Sequence, residues 1–361
     1  MFTAQTERIR SQIVDEILAE LERWQKLSRY PLDDQLITML RNISVKGKLF
    51  RGCLLVQFYG LNAPALSEEA AAARMRSAVI LAAAVELYGT ALLIHDDIMD
   101  RAVERRGVPT VDQQLLPVAR QAGMREPEHF GTSSAICAGD FLFFVASGLV
   151  EKASVLAGLK ADVSLSTLCA RELALLGLAQ IEDVRQAAST EHPSKDQIIS
   201  MYEGKTGRYT GRWPLELAAV LAQLSSEQVA QIGAIGEKLG VLYQLKDDEL
   251  GLVGDEAAIG KSASSDLREG KKTLYYWQAL EILQGEELNI FSSVHGHIDA
   301  STQEIEQVKE MLQTSGVIAT VSKHIAAAHE EVMTDIQMLD IPPEAKTFLT
   351  SVADFIVSRI K

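Results

Sequence analysis

From end to end the chain spaces its apolar residues as a helix does, and nowhere sets up the every-other-residue alternation of a strand. Between Thr6 and Lys26 the pattern runs Ile9, Ile13, Ile17, Leu21 and Trp24, an apolar stripe with a charged outer face. Ala, Leu, Glu and Gln recur in long stretches, and only 9 of the 361 residues are proline. The chain is therefore expected to be all-α. A helix is expected from Ser67-Glu68-Glu69, which can cap its start, to Asp100. Others are expected over 134–157, 164–188, 195–224 and from 226 to about 251. Arg106 to Thr132, rich in Gly and Pro, reads as a loop-rich connection, and Gly251 to Gly270 as a polar functional loop. Thr273 to Lys361 reads as three or four amphipathic helices. No repeat or linker divides these segments, so residues 1–361 are expected to form a single domain.

The formal charge of −14 argues against nucleic acid or an anionic membrane as partner, since both call for basic patches. Cys53, Cys137 and Cys169 show no metal-ligand spacing, and each falls in an apolar stretch, so buried free thiols are expected. Met1 to Arg10 has no apolar signal core. Ala78 to Ile94 is barely long enough to span a bilayer, carries Glu86 at its centre and runs into His95-Asp96-Asp97. It reads as a buried core helix. The expectation is a cytoplasmic protein with no transmembrane segment.

Two acidic constellations carry the chemistry. The first is His95-Asp96-Asp97-Ile98-Met99-Asp100, followed by Arg105-Arg106-Gly107. On a helix Asp96 and Asp100 project from one face. Carboxylates so clustered repel one another unless a cation sits between them, and hard oxygen ligands with room for water and phosphate suit Mg²⁺. The adjacent arginines can grip a phosphate. The second is Gln244-Leu245-Lys246-Asp247-Asp248, followed by Gly260-Lys261 and by Asp266 to Lys271. Lys46-Gly47-Lys48 with Arg51 places further cations within one turn, and Lys205-Thr206 falls inside an expected helix. Alone, each has a plain structural reading, and His95 alone is a hydrogen-bonded structural histidine. Together they look like two walls of a cleft that holds a polyphosphate through metal ions.

This ordered set resembles the trans-prenyl diphosphate synthases of the polyprenyl synthetase family over nearly the whole chain. Asp96 to Asp100 with Arg105 to Thr110 is similar to the first Asp-rich motif of that family, and Gly131 with Ala135 to Asp140 to the helix start that follows it. Lys205-Thr206 is similar to its Lys-Thr pair, and Gln244 to Asp248 with Gly260-Lys261, Asp266 and Gly270-Lys271 to the second acidic region. The resemblance implies an antiparallel helix bundle around a deep central cavity, active as a homodimer, that condenses isopentenyl diphosphate with an allylic diphosphate. It implies that Asp96, Asp100 and Asp247 hold Mg²⁺ on the allylic diphosphate, with Asp97 and Asp248 in support. By the same resemblance Arg105, Lys205 and Lys261, with Lys271 beside them, bind that diphosphate, and Lys48, Arg51 and Arg106 bind isopentenyl diphosphate. Thr206 and Gln244 would lie beside the developing carbocation.

Three positions depart from the family pattern. Gly89 stands seven residues before Asp96, where many relatives carry a His that contacts isopentenyl diphosphate; Gly251 replaces the last Asp of the second motif; and Leu49 replaces an Arg. Product length is read upstream of the first motif. Ala91 and Leu92 leave the tail room to pass beyond farnesyl length, and Tyr88, one turn deeper, either stops it at geranylgeranyl diphosphate or packs in the core or a dimer interface. Farnesyl and geranylfarnesyl diphosphate remain as alternative products. A terpene cyclase, or a weakly active partner subunit of a synthase, remains as an alternative function.

Overall fold

Scarce prolines and helical apolar spacing leave little besides helix to build, and a computed structural model of the protein shows that outcome. The structure describes residues 4–105, 107–159, 164–253 and 265–359. Its helices are α1 (Ala4–Gln25), α2 (Asp33–Ser44), α3 (Phe50–Asn62), α4 (Glu68–Met99), α5 (Val111–Gln121), α6 (Pro127–Ala157), α7 (Leu165–Ala188) and α8 (Lys195–Tyr202). A π-helix (Glu203–Arg212), α9 (Trp213–Leu221) and α10 (Ser226–Val253) follow. The chain ends with α11 (Ser265–Glu269), α12 (Leu274–Ile282), α13 (Gly285–Val294), α14 (Thr302–Thr314), α15 (Val317–Met338) and α16 (Pro343–Ser358). The chain groups into two compact units, residues 1–170 with 214–229, and residues 171–213 with 230–361.

The first unit is organised on α4. Ser67 caps it by accepting from the Ala70 amide at 3.4 Å, and Glu68 and Glu69 complement the helix dipole. Its middle, Ala78 to Ala91, is buried throughout, and the small residues Ala135, Ala138, Gly139 and Ala146 let α6 approach closely. At Gly139 the His95 ring fills the space a Cβ would take, and His95 Nε2 donates to the Ile136 carbonyl at 3.0 Å. The histidine is structural here. Glu86, buried, is satisfied by the Gly52 amide at 2.7 Å, one of the orphan donors at the start of α3. Buried Arg74 donates to the carbonyls of Ala157 (3.0 Å) and Leu221 (3.5 Å), placing a cation at the ends of α6 and α9. Both α4 and α6 are long and apolar enough to cross a bilayer, but 83% of the apolar window of α4 is buried within the protein, as a core helix requires.

Five expectations need correction. The segment expected from Arg106 to Thr132 as a loop-rich connection holds, over its described residues 107–132, α5 and the start of α6. Pro127 sits in the first turn of α6, where its missing N–H costs nothing, and the buried face of Val111, Leu115 and Ala119 carries α5 past Pro117. Strand pairing is not wholly absent, since Glu104–Arg105 and Val108–Pro109 form a two-residue antiparallel ladder. The expected helix over 195–224 is broken into α8, the π-helix and α9, and the C-terminal part from Thr273 holds five helices among the described residues. Cys53 and Cys169 are buried as expected, with burial pushing the Cys53 thiol up to about 12, but Cys137 is exposed.

Candidate active site

The C-terminal end of α4 presents the first acidic motif. Successive helical residues are turned by about 100°, so Asp96 and Asp100 share a face and Asp97 points elsewhere. Asp97 is buried, its carboxylate held by Arg105 Nε, while Asp96 is half-buried and Asp100 exposed. Arg105 reaches both neighbours, with Nη2 3.4 Å from Asp96. Burial raises the Asp97 carboxyl above its ordinary range, against the opposing pull of Arg105. Asp97 thus orients Arg105 and leaves Asp96 and Asp100 to face outward. Asp97, Arg105, Lys46, Thr90 and Leu93 border a cleft that opens to solvent. In the same unit Lys48 lies exposed on the turn before α3, and Arg51 is half-buried in the first turn of that helix. Gly89 is buried within α4.

The second unit repeats the device at α10. Asp248 is buried and accepts from Gln244 Nε2 at 2.7 Å and from the Tyr202 hydroxyl, while its neighbour Asp247 stays partly exposed. Gln244 in turn accepts from Thr206 Oγ1 at 2.7 Å, and the Tyr202 hydroxyl accepts from the Leu274 amide at 3.0 Å. Thr206, Gln244, Asp248 and Tyr202 therefore form one connected polar chain across three elements, satisfied at each link. Asp247 accepts from Arg359 Nη2 at 2.6 Å, and the Arg359 guanidinium lies 4.0 Å from the centre of the Tyr243 ring. Lys205 Nζ donates to Asp183 at 2.6 Å. Lys271 turns outward to Glu269 at 3.1 Å, and it shares a cleft of about 330 Å³ with Asp248, Tyr275 and His295.

Backbone contact sets this geometry. Gly207 and Gly211 on the π-helix meet Gly240 and Gly236 on α10 with nothing between them. A Cβ on Gly240 would lie 2.5 Å from the Gly207 carbonyl oxygen, and one on Gly211 would overlap the Gly236 carbonyl. Short π segments recur at functional sites because the extra residue re-aims the side chains that follow. Here the segment carries Lys205 and Thr206.

The structure thus brings Asp96, Asp97 and Arg105 together in one unit, and Thr206, Gln244 and Asp248 together in the other. Arg106 and Lys261 lie outside the described residues. Asp183 and Tyr202 are site residues that sequence reasoning missed. Asp183 precedes Lys205 by 22 positions on another helix, so no local spacing links them. The available signal was the acidic pair Glu182-Asp183 at the end of the largely apolar run from Leu175 to Ile181.

The polyprenyl synthetase family model matches residues 33–313. The chain is 30% identical to the geranylgeranyl diphosphate synthase of Methanosarcina mazei, over 97% of this chain and 96% of that one. It is 29% identical to the short chain isoprenyl diphosphate synthase of Methanocaldococcus jannaschii, over 91% and 90%. Its fold matches geranylgeranyl pyrophosphate synthase from Corynebacterium glutamicum, complexed with isoprenyl diphosphate and magnesium, with a TM-score of 0.85 at 26% identity, covering 98% of this chain and 99% of that one.

Proposed function

We infer the activity from one premise, that this chain belongs to the polyprenyl synthetase family. It is an all-α prenyltransferase of the short-chain trans type. The reaction we propose joins isopentenyl diphosphate to an allylic diphosphate, with geranylgeranyl diphosphate as product. The observation that carries this reading is the repeated acidic helix end, in which one carboxylate is buried and held while its neighbour is more exposed and lies against an arginine.

Among the described residues no three His, Cys, Asp or Glu side chains converge into a cage for a metal ion. Mg²⁺ keeps several waters and takes further oxygens from substrate phosphates, so partly exposed carboxylates at a helix end are a donor set of the kind it uses. Asp96 and Asp100 in the first unit, and Asp247 in the second, are the carboxylates that would hold Mg²⁺, and when bound it would neutralise the charge that grows on the departing diphosphate. As the allylic C–O bond breaks, its electron pair leaves with the diphosphate, where Arg105 and Lys205 supply fixed positive charge. Lys48 and Arg51 hold isopentenyl diphosphate so that its double bond can attack the allylic carbon. The Thr206 and Gln244 oxygens lie beside the cation that results, and a proton is then lost to the departing diphosphate.

Asp247 is paired with Arg359, so a metal ion there has to displace a guanidinium. Arg359→Ala is expected to lower the Mg²⁺ concentration for half-maximal activity by roughly threefold, the scale of one partly exposed ion pair. An unchanged or higher requirement, read from a Mg²⁺ titration of initial rates, overturns that competition.

For product length, Ala91 and Tyr88 are both buried, and the Tyr88 hydroxyl is 2.8 Å from Ser147 Oγ with its ring against Phe143. A Tyr88 anchored in this way is the tunnel floor we propose. Ala91→Phe is then expected to shorten the product by at least one five-carbon unit; an unchanged product spectrum places the floor elsewhere. We also propose a homodimer, because Ile136, Phe144 and Val155 expose an apolar face on α6, and Leu178 and Ile181 expose another on α7. Sedimentation velocity reads this directly, and a monomer at micromolar concentration overturns it.

The deciding experiment supplies the purified chain with labelled isopentenyl diphosphate and dimethylallyl, geranyl or farnesyl diphosphate in turn. A twenty-carbon product that disappears with a chelator is expected. Product from farnesyl diphosphate alone would establish a cyclase instead, and turnover only after a second subunit is added would establish a partner subunit.

A further inference from the structure

The turn that carries Lys46, Gly47 and Lys48 is held by a residue far from it in sequence. It joins α2 to α3, and two of its residues take left-handed backbone, Gly47 at φ 91° and Leu49 at φ 45°. For Leu that conformation brings Cβ against the following carbonyl, at a cost of roughly 1–2 kcal/mol. Local preference does not produce this shape. Arg10 on α1 constrains it. Its Nε and Nη2 both donate to the Gly47 carbonyl at 3.1 Å, and Nη2 also donates to the Val45 carbonyl at 3.1 Å. The guanidinium therefore ties together the two carbonyls that flank Lys46, the second of them in the peptide that leads into Lys48. On the far side the Cys53 amide donates to the Leu49 carbonyl at 3.0 Å, which joins the turn to the first turn of α3, where Arg51 stands.

We propose that Arg10 is a positioning residue for the homoallylic substrate. By chelating the Val45 and Gly47 carbonyls it holds Lys48, and through the start of α3 also Arg51, in the arrangement that grips the diphosphate of isopentenyl diphosphate. This rests on the assignment of that substrate to Lys48 and Arg51 given above. Nothing in the motifs points to Arg10, because its partners are backbone carbonyls 35 and 37 residues away. The requirement is for arginine in particular, since a planar fork with fixed donors bridges two carbonyls and an ammonium does not reproduce that geometry.

The test compares Arg10→Ala, Arg10→Lys and Lys48→Ala by steady-state kinetics with each substrate varied in turn, alongside thermal melting. Arg10→Ala is expected to raise KM for isopentenyl diphosphate about tenfold, the order expected when hydrogen bonds from a charged group that fix a binding residue are lost. KM for the allylic diphosphate and kcat should stay within about twofold of wild type on the same argument. Arg10→Lys keeps the charge and loses the chelate, so it should restore only part of the affinity. Full rescue by lysine would show that Arg10 acts through its charge and overturns the positioning role. Both KM values rising together, or activity falling only with the folded fraction, would make Arg10 merely structural and also overturns it. If Lys48→Ala raises KM for isopentenyl diphosphate and Arg10→Ala does not, the inference fails while the substrate assignment stands. If Lys48→Ala has no such effect, the assignment itself fails and the inference falls with it.

Discussion

Replacing Asp96 by Asn is expected to lower kcat for the condensation about a thousandfold, the scale of losing one preorganised electrostatic contact to a developing charge. Asn keeps the shape of Asp and removes its charge, and Asp96 is half-buried at a helix end with Arg105 at 3.4 Å. Little folding energy is at stake there, so melting should shift by only a few degrees. Asp97→Asn is the informative contrast. Asp97 is buried and holds Arg105, so its loss should act by releasing the arginine and should lower stability and activity together. Radiolabelled turnover measured beside circular-dichroism melting separates the two effects. If Asp96→Asn kept a tenth of wild-type kcat, Asp96 could not be part of the metal site.

Gly240→Ala is expected to destabilise the protein by more than about 3 kcal/mol, the range of a severe overpacking change. The added methyl would meet the oxygen, Cα and carbonyl carbon of Gly207 at 2.5, 2.6 and 2.9 Å, and backbone atoms cannot turn aside as a side chain can. Whatever folded protein remains should also lose activity, because the same crossing brings Thr206 within 2.7 Å of Gln244. Gly60→Ala is the control. Within α3 its new methyl would meet only the Met75 methyl at 3.6 Å, so a neutral effect, or a gain of up to about 1 kcal/mol, is expected from relieving glycine in a helix. Equal destabilisation by both variants in a urea titration would show that the loss at Gly240 does not come from the close backbone crossing.

Much of the architecture was legible before any coordinates because it is local. The stripe from Ile9 to Trp24, the cap at Ser67 and the apolar run from Ala78 to Ile94 all signal helix within a few residues, and each stands where it was read. The acidic ends were legible for the same reason, since Asp96 and Asp100 lie one turn apart on one face. The misreadings came where a local signal has two meanings. Proline and glycine between 106 and 132 read as loop, yet Pro127 begins a helix and Pro117 sits inside one whose buried face outweighs the lost hydrogen bond. Cys137 looked buried because its neighbours are apolar, but α6 turns it outward.

The sequence by itself determined the all-helical class, the places where carboxylates and cations gather, and through them the family. Tertiary structure decided which member of each acidic pair is held inward, that Asp183 pairs with Lys205, that Tyr202 closes on Asp248, and that Arg10 shapes the turn before Lys48. The division has a physical cause. Helix formation and the sharing of a face depend on residues three or four apart, whereas these contacts join residues 8 to 46 positions apart on different elements and form only once those elements pack closely enough for their side chains and backbones to meet.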